Sequence, residues 1–355
     1  MARHANQETN ALILMRRFYE IFPYPGRPFF VRPKAEFNLT SHAAFSHWTH
    51  SLPHRAREVW AMQKYSSVTL ANLLVRSRIL NEFETEYSTD KKILLAGCGT
   101  DEPLLFKVLH PNHQIIGIDL SRRSLRLARL KLKWNSLFQF FGKNKSSMRL
   151  IEGDVTEVLN QEKLGHFDHI QCFGVLHHQP NPKAMLQSLS DSLSVGGTLR
   201  LMIYSETGRR LERRIQNRFQ NLWKSQSRFK FSLLAKVLAN FFVLRFWHLA
   251  NFILQRSALR NRFRYIGMNG AALADAFMHP SDPGVSPTDV VHWAIEMGLK
   301  LSFCEAKIEN EGRIAGFQDA HLQFENIARA EKSGQLLSNV VLIFTSPKKN
   351  RNQSE

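Results

Sequence analysis

Short apolar runs alternate with amphipathic segments through the middle of the chain. The apolar runs are bounded by glycine or polar turn residues, which is typical of strands, and they occupy positions 92–96, 114–119, 148–152, 167–173 and 198–204. Between them, apolar residues recur at helical spacing over positions 103–109, 121–133 and 182–193. Strands that alternate with helices through short turns predict a parallel sheet with helices on both faces.

The alternation resumes after position 285. A helix is expected over 288–297, between Ser286-Pro287 and Gly298, and strands are expected over 300–306 and 338–344. Because a single helix separates the last two strands, the pattern suits an antiparallel strand added at one edge of the sheet. The predicted fold is therefore α/β, a Rossmann-like, doubly wound and mostly parallel seven-stranded sheet.

Two segments fall outside this alternation. Positions 1–90 hold the aromatic stretch Phe22-Pro23-Tyr24-Pro25, which fits either a lid over a ligand or a segment packed on the core, and then a helix expected near 55–83. Positions 207–285 separate the fifth strand from the next helix. The expected division is a helical N-terminal extension (1–90), a ligand-binding core (91–206), a basic helical insertion that covers the substrate (207–285), the C-terminal part of the core (286–347) and a polar, disordered tail (348–355).

The first predicted strand ends at Gly97-Cys98-Gly99-Thr100, and the second ends at Asp119. A Gly-x-Gly turn lets the backbone approach a ligand closely, and the helix after it directs free N–H groups at that ligand. A carboxylate at the tip of the next strand can accept hydrogen bonds from the two hydroxyls of a ribose. The pattern predicts a site for a nucleoside-containing cofactor; the alternative is a structural strand–turn–helix without a ligand.

The identity of the cofactor depends on what the turn lacks. Glu102 occupies the position of the third glycine in dinucleotide-binding turns, and its charge would repel a pyrophosphate. This disfavours NAD and FAD and favours a nucleoside without phosphates that carries a cation, a description that S-adenosylmethionine fits. In this interpretation the turn binds the methionine end, Asp119 binds the ribose, and Asp154 accepts a hydrogen bond from the adenine amino group.

Six motifs follow one another along positions 91–204: Leu95-Ala96-Gly97-Cys98-Gly99-Thr100, Gly117-Ile118-Asp119-Leu120-Ser121, Glu152-Gly153-Asp154-Val155, Phe167-Asp168, Phe173-Gly174-Val175-Leu176-His177-His178 and Gly196-Gly197. In order and spacing they resemble the class I S-adenosylmethionine-dependent methyltransferases, specifically the small-molecule type related to the ubiquinone and menaquinone biosynthesis enzymes. Ala96 stands where many relatives have an acid, which leaves Asp101 or Glu102 as replacement contacts to the methionine ammonium group. The resemblance implies a cofactor site formed by Gly97, Cys98, Gly99, Thr100, Asp119, Leu120, Asp154, Val155 and Phe173.

Two histidine-containing stretches are candidates for catalysis. The fourth strand does not end in Asn-Pro-Pro-Tyr, the signature of enzymes that methylate amide or exocyclic amine nitrogens. His178, which follows it, fits a general base because imidazole titrates near physiological pH; alternatively, it caps the next helix while His177 packs beside the cofactor. In the second stretch, His279 and Asp282 fit an oriented base on a substrate-side loop, or a histidine-capped Asp-Pro turn.

Cysteine and histidine usage argues against a disulfide framework and a metal centre. The three cysteines are widely spaced and form no C-x-x-C pair, which is typical of a reducing compartment and predicts a cytoplasmic location. Four histidines lie between positions 42 and 54, but Pro53 breaks their helical register and no cysteine joins them, so no metal site is predicted. Neither a secretory signal nor an apolar run long enough to cross a membrane is recognised.

The formal charge of +18 is concentrated in the insertion. Fourteen lysines and arginines between positions 209 and 264 face one acid, Glu212, so this stretch alone carries +13. Positions 231–254 add an apolar stripe at helical spacing. Three interpretations stay open: a helical cap packed on the sheet, an interfacial helix that contacts anionic lipid through 207–264, and a cationic surface for nucleic acid, specifically RNA. Helical spacing places four arginines on one face: Arg210, Arg213, Arg214 and Arg218.

The predicted function is transfer of a methyl group from S-adenosylmethionine to a small or lipophilic acceptor by in-line displacement. Alignment and exclusion of water supply much of the rate, because the sulfonium is already an activated donor, and a base is needed only where the acceptor must lose a proton. The alternatives are an RNA methyltransferase that uses the basic insertion and a non-catalytic S-adenosylmethionine-binding scaffold protein. The sequence specifies neither the acceptor atom nor the oligomeric state.

Overall fold

The computed structural model describes residues 2–25, 91–109, 113–138, 147–209, 212–217, 270–309, 311–316 and 320–347. The helix expected near 55–83, the four clustered histidines, the apolar stripe over 231–254 and the tail from 348 lie outside the described residues. Within the ranges described, none of the helices has both the length and the apolar character that a membrane crossing requires.

The described residues form one eight-stranded sheet, with the order β3-β2-β1-β4-β5-β8-β6-β7. β1 to β5 pair with one another in parallel, and β8 pairs antiparallel with both β5 and β6. This arrangement confirms the α/β class and the mostly parallel sheet. The strands are β1 (Lys92–Ala96), β2 (Gln114–Asp119), β3 (Ser147–Glu152), β4 (Phe167–Phe173), β5 (Leu193–Tyr204), β6 (Lys300–Ile308), β7 (Gly312–Gly316) and β8 (Leu336–Thr345).

Helices connect the parallel strands in sequence. α2, α3, α4 and α5 follow β1, β2, β3 and β4 respectively, which is the strand–helix alternation that the apolar pattern predicts. The helices with bounds in the described residues are α1 (Ala2–Ile21), α2 (Glu102–Leu109), α3 (Arg122–Phe138), α4 (Val155–Gln161), α5 (Pro182–Asp191), α6 (Gly270–Met278), α7 (Pro287–Glu296) and α8 (Ala320–Ser333). Residues 212–217 are also helical.

The sheet differs from the sequence-based expectation in its strand count and in the place of the antiparallel strand. In addition to the seven expected strands, the sheet contains β7, which pairs antiparallel with β6. This short segment has no apolar run from which a strand could be predicted. β8 lies between β5 and β6 rather than at an edge. Gly196-Gly197, which follow the helix expected over 182–193, lie inside β5 beside a register shift in its pairing with β4, and α5 already ends at Asp191.

The core lies on both faces of the sheet. In β1, Leu94 and Ala96 pack into one apolar cluster while Ile93 and Leu95 pack into another, and all four side chains are fully buried. Because successive side chains of a strand point to opposite faces, a strand covered on both sides must be apolar at every position. The unbroken apolar run of β1 therefore fixes it at the centre of the sheet, with its carboxyl end free to present the glycine turn.

Two helices from distant parts of the chain pack together above the carboxyl ends of the strands. Phe18 and Phe22, at the end of α1, form a buried apolar cluster with Ala274 and Met278 of α6. Burying a phenylalanine side chain contributes about 2–3 kcal/mol relative to leaving it in water. This packing is what places α1 over the candidate site described below.

The start of α5 offers a test of the local structure. Asn181 is the N-cap residue, and its side-chain oxygen accepts a hydrogen bond from the Ala184 N–H at 3.1 Å. Replacing Asn181 by alanine is expected to lower the free energy of unfolding by about 1 kcal/mol, because that N–H loses its acceptor. Denaturant titration measures the loss. The exposed Gln187→Ala change in the same helix is the control, and equal losses in the two variants would contradict the assignment of the cap.

Candidate active site

An open cavity lies at the carboxyl ends of β1, β2, β3 and β4. Parallel strands present their carboxyl ends at one edge of the sheet, so residues far apart in the sequence meet there. Eight of the predicted site residues line this cavity: Gly97, Gly99, Asp119, Leu120, Asp154, Val155, Phe173 and His178. The other lining residues are Met15, Tyr19, Tyr24, Ser124, Gly153, Gly174, Val175 and Gln179.

The turn after β1 is built for a close approach of the backbone. Gly97 has φ +72°, and a Cβ at this position would lie 2.2 Å from Cγ2 of Val175. The N–H groups of Gly97 and Cys98 donate to the Ile118 carbonyl oxygen at 2.8 and 3.0 Å, which ties the turn to the end of β2. Only glycine combines this left-handed conformation with the absence of a clashing side chain.

Asp119 organises the same end of β2 through both of its carboxylate oxygens. Oδ2 accepts from the Gly99 N–H and Oδ1 accepts from the Ser121 N–H, each at 2.8 Å. A carboxylate oxygen has more than one lone-pair site, so each oxygen can accept a further bond from a ligand in the cavity. Burial raises the pKa of Asp119 to about 6, so the carboxylate is the main form at neutral pH.

Asp154 has two roles at the end of β3. It is the N-cap of α4, and its Oδ1 accepts from the N–H groups of Thr156 and Glu157 at 2.9 and 3.1 Å. Both bonds end on Oδ1, so capping does not use Oδ2 of this cavity-lining residue. A carboxylate held in this way faces the cavity as a fixed hydrogen-bond acceptor.

Cys98 and Thr100 do not line the cavity, although both belong to the predicted cofactor set. Cys98 packs into the apolar cluster below the turn with Leu95 and Phe106. Thr100 is fully buried, and its hydroxyl donates to Asp101 at 2.8 Å. Of the four turn residues from Gly97 to Thr100, only the two glycines therefore line the cavity.

The two acids after the turn also point away from the cavity. Asp101 pairs with Lys131 of α3, and Glu102 accepts from the Gln171 amide at 3.4 Å. Burial raises the pKa of Glu102 to about 8, so this carboxyl is protonated at neutral pH. Their placement corrects two sequence-based arguments: Glu102 does not present a charge that repels a pyrophosphate, and neither acid is positioned to contact a methionine ammonium group.

The N-terminal segment forms a wall of the cavity that the sequence only partly indicates. Glu20 Oε1 accepts from the Arg123 N–H at 3.0 Å, and Arg16 pairs with Glu152. The Tyr24 carbonyl oxygen accepts from the Thr100 N–H at 3.0 Å. These bonds hold α1 and the turn after it against the strand ends. Tyr19 and Tyr24 both belong to the aromatic, proline-rich stretch of the sequence, which begins at Phe18, whereas no motif marks Met15.

Hydrogen bonds assign the proton positions in the histidine pair after β4. His178 Nδ1 lies 3.0 Å from the Ser281 carbonyl oxygen, which can only accept, so Nδ1 carries a hydrogen. Its Nε2 then accepts from His177 Nε2 at 3.1 Å, and His177 Nδ1 accepts from the Tyr204 N–H at 3.3 Å. Burial lowers the pKa of His177 well below its ordinary value, which favours this neutral chain. Asn181, not His178, caps α5.

The second candidate stretch packs against the first. The His279 ring stacks on the His178 ring with centroids 3.8 Å apart, and His279 Nδ1 accepts from the Ser281 N–H at 3.2 Å. Asp282 forms a buried ion pair with Arg209 at 2.5 Å instead of orienting His279. Neither His279 nor Asp282 lines the cavity, and their contacts match the histidine-capped turn among the two sequence-based interpretations.

The packed histidines and aspartates of the two stretches are residue types that can bind a metal ion. Ligand-type atoms of His177, His178 and Asp282 lie within 4.8 Å of one another, as do those of His178, Asp275 and His279. The nitrogens of the histidine pair are engaged in the hydrogen-bond chain, and Arg209 already neutralises Asp282. A second cation beside that guanidinium would be repelled, so the contacts favour a hydrogen-bonded cluster.

The basic face expected in the insertion is divided in the described residues. Arg213 is partly buried and donates to the Pro283 carbonyl oxygen at 2.8 Å, whereas Arg214 is exposed. Arg210 and Arg218 lie outside the described residues. Arg213 therefore holds the loop before α7 in place and does not form an exposed basic face with Arg214.

Comparisons with known proteins agree with the strand-end geometry. Residues 94–199 match the family model described as a methyltransferase domain. An uncharacterised protein of Synechococcus sp. is 32% identical over 126 residues, which cover 35% of this chain and 28% of that protein. The ubiquinone biosynthesis O-methyltransferase of Idiomarina loihiensis is 30% identical over 121 residues, which cover 33% of this chain and 44% of that enzyme. The chain thus spans less than half the length of either of these curated relatives.

Solved structures with a similar fold have low sequence identity to this chain. PKMT2 from Rickettsia typhi in complex with AdoHcy is 17% identical with a TM-score of 0.44, and the match covers 73% of this chain and 49% of that one. The N-methyltransferase NodS from Bradyrhizobium japonicum, in complex with S-adenosyl-l-homocysteine, is 11% identical with a TM-score of 0.35, and the match covers 77% and 87%. The match over 94–199 confirms the resemblance to a methyltransferase domain that the motifs carry.

Proposed function

We propose that the protein is an S-adenosylmethionine-dependent methyltransferase that acts on a small, lipophilic acceptor. The observation that carries the proposal is the arrangement of Asp119, Asp154 and the Gly97–Gly99 turn around one cavity. A fixed carboxylate at the end of β2 suits the ribose hydroxyls, and the acceptor at the end of β3 suits the adenine amino group. These two contacts, to the ribose and to the adenine, account for a nucleoside ligand without any phosphate group.

The residues of the chain supply binding, alignment and exclusion of water. S-adenosylmethionine, when bound, supplies a methyl group on a sulfonium that is already activated. The turn and Asp119 would hold the cofactor at the strand ends, and Met15, Tyr19 and Tyr24 would cover it from the α1 side. Holding two reactants in line accounts for much of the rate in reactions of this kind.

The character of the cavity wall supports an acceptor of low polarity. Most of the cavity lining is apolar, with contributions from Met15, Tyr24, Phe173 and Val175. Such a wall favours a lipophilic acceptor through burial of apolar surface. The name of the Idiomarina loihiensis relative, a ubiquinone biosynthesis O-methyltransferase, points to the same class of acceptor and to oxygen as the methylated atom.

A labelling experiment tests the proposal. The purified full-length protein is incubated with methyl-labelled S-adenosylmethionine and a cell extract, which is then separated into organic-soluble, aqueous small-molecule, RNA and protein fractions. Label in the organic-soluble fraction that depends on Asp119 is expected. Label in RNA would favour the alternative of an RNA methyltransferase, and binding of cofactor without any labelled product would favour the non-catalytic scaffold.

Cofactor affinity is expected to fall on the acid side of about pH 6. Ribose hydroxyls bond to the carboxylate form of Asp119, whose pKa is raised to about 6 by burial. Ligand binding therefore favours the ionised state, and affinity is lost as the pH falls through this pKa, by up to about tenfold per pH unit. Calorimetric titration with S-adenosylhomocysteine across this range measures the effect. Asp119→Asn removes the titrating group, so an unchanged slope in that variant would refute the assignment.

A further inference from the structure

We propose that Tyr19 and Asp275, rather than His178, take the proton that the acceptor loses on methylation; the inference rests on the proposed function. Tyr19 of α1 lines the cavity, and its hydroxyl donates to Asp275 Oδ1 of α6 at 3.2 Å. A hydroxyl that is hydrogen-bonded to a carboxylate can accept one proton while it passes its own to the carboxylate. Tyr19 would be the catalytic residue and Asp275 the positioning residue behind it.

His178 is poorly suited to this task although it also lines the cavity. Its Nδ1 donates to the Ser281 carbonyl oxygen at 3.0 Å, and its Nε2 accepts from His177 at 3.1 Å. To accept a proton from a ligand, the imidazole would have to break one of these two bonds in a buried place. Losing a buried hydrogen bond leaves an unpaired polar group, which opposes the change.

The surrounding contacts hold the pair of Tyr19 and Asp275 in place. The His279 ring lies between the two candidates, 5.6 Å from the Tyr19 ring and 3.8 Å from the His178 ring by centroids. Because His279 Nδ1 accepts from the Ser281 N–H, its Nε2 carries the hydrogen, and among the described residues this buried atom has no hydrogen-bond partner. A nitrogen of His279 lies within 4.8 Å of a carboxylate oxygen of Asp275. The positive charge of Arg209 and the hydrogen bond from Tyr19 both favour the ionised, proton-accepting form of Asp275.

In the proposed reaction, Asp275 is the final acceptor of the proton. A bond forms between the acceptor atom and the methyl carbon while the carbon–sulfur bond breaks, and its electron pair stays on sulfur. The acceptor proton moves to the Tyr19 oxygen, and the Tyr19 proton moves to Asp275, which becomes neutral. Burial raises the pKa of Asp275 above its ordinary value, which makes the carboxylate a better proton acceptor than an exposed one.

Two substitutions test the proton path with the organic-soluble fraction that the wild-type protein labels. Tyr19→Phe removes the relay hydroxyl, and Asp275→Asn keeps an oxygen that can accept from Tyr19 but cannot take its proton. Each is expected to lower the single-turnover rate of methyl transfer, measured with a saturating amount of the organic-soluble fraction, by about 100-fold. The half-saturating amount of that fraction and the affinity for S-adenosylhomocysteine should each change by less than about threefold. A structural role alone would change binding as well.

The matched control is Glu331→Gln. Glu331 is a partly buried carboxyl whose Oε2 accepts from the hydroxyls of Ser286 and Thr288, and it does not line the cavity. This variant should transfer label at the wild-type rate. Wild-type rates in both Tyr19→Phe and Asp275→Asn would overturn the inference and leave the proposed function intact. A wild-type protein that binds S-adenosylhomocysteine but labels nothing would overturn both.

A second measurement needs no acceptor. Nitrogen NMR of histidine-labelled protein, with His178→Asn used to assign the signals, reports which ring nitrogen carries the proton. The inference requires His178 to be the Nδ1–H form in the complex with S-adenosylhomocysteine. An Nε2–H form, or a His178 ring released from His177, would return the role of base to His178 and overturn the inference.

Discussion

Replacing Asp119 by alanine is expected to weaken the binding of S-adenosylhomocysteine by about 100- to 1,000-fold. The change removes a carboxylate that would accept from both ribose hydroxyls, and hydrogen bonds to a charged group contribute about 1.5–3 kcal/mol each. It also frees the N–H groups of Gly99 and Ser121, which now donate to this carboxylate at 2.8 Å. The turn that approaches the ligand would then lose its support from β2.

Calorimetric titration of the purified variant measures this loss, and Asp168→Ala provides a matched control. Asp168 also accepts from a backbone N–H, that of Lys92 at 2.9 Å, but it lies near the start of β4, away from the cavity. Affinity in this control should equal that of the wild type. If the two variants bind equally well, or if Asp119→Ala binds like the wild type, the cofactor site has been placed at the wrong edge of the sheet.

Replacing Asp282 by alanine is expected to lower the free energy of unfolding by about 3–5 kcal/mol. The Asp282 side chain is fully buried and pairs with Arg209 at 2.5 Å, and it also accepts from the Gln216 amide at 3.1 Å. The Arg209 guanidinium stacks over the Tyr204 ring at 3.6 Å and is itself buried. The substitution leaves that charge without a counterion in a place that water does not reach, which is costly.

Denaturant-induced unfolding measures the effect, and an exposed ion pair is the comparison. Lys183 and Glu296 form a bridge at 2.7 Å with side chains 51% and 61% exposed, so Glu296→Ala should cost less than about 1 kcal/mol. The double variant Asp282→Ala, Arg209→Met should recover part of the loss, because no buried charge is then unpaired. Equal losses for Asp282→Ala and Glu296→Ala would mean that Arg209 finds another partner.

The predicted site residues that line the cavity are those whose position depends on local structure. Gly97 and Gly99 follow directly from a strand that ends in a tight turn, and Asp119 and Asp154 follow from the ends of the next two strands. Because parallel strands share one carboxyl edge, the sequence order of these ends predicts their proximity. The assignment of the central strands succeeds for the same reason.

The other lining residues depend on packing between distant segments, which no local pattern encodes. Met15 and Tyr19 reach the cavity because Phe18 packs against Met278, about 260 positions away in the sequence. Side-chain direction is equally invisible: Glu102 stands beside the turn in the sequence but faces Gln171 on β4. Asp275 stands at the start of the stretch that holds His279 and Asp282, but the sequence assigns it no role, and only its contact with Tyr19 points to one.

The position of β8 constrains how the protein is made. β8 fills the slot between β5 and β6, and it is the last strand of the described chain to leave the ribosome. Until then β5 has an open edge of unpaired N–H and C=O groups, and β6 cannot join the strands that precede it. A nascent chain stalled before residue 336 would therefore expose that edge to other chains.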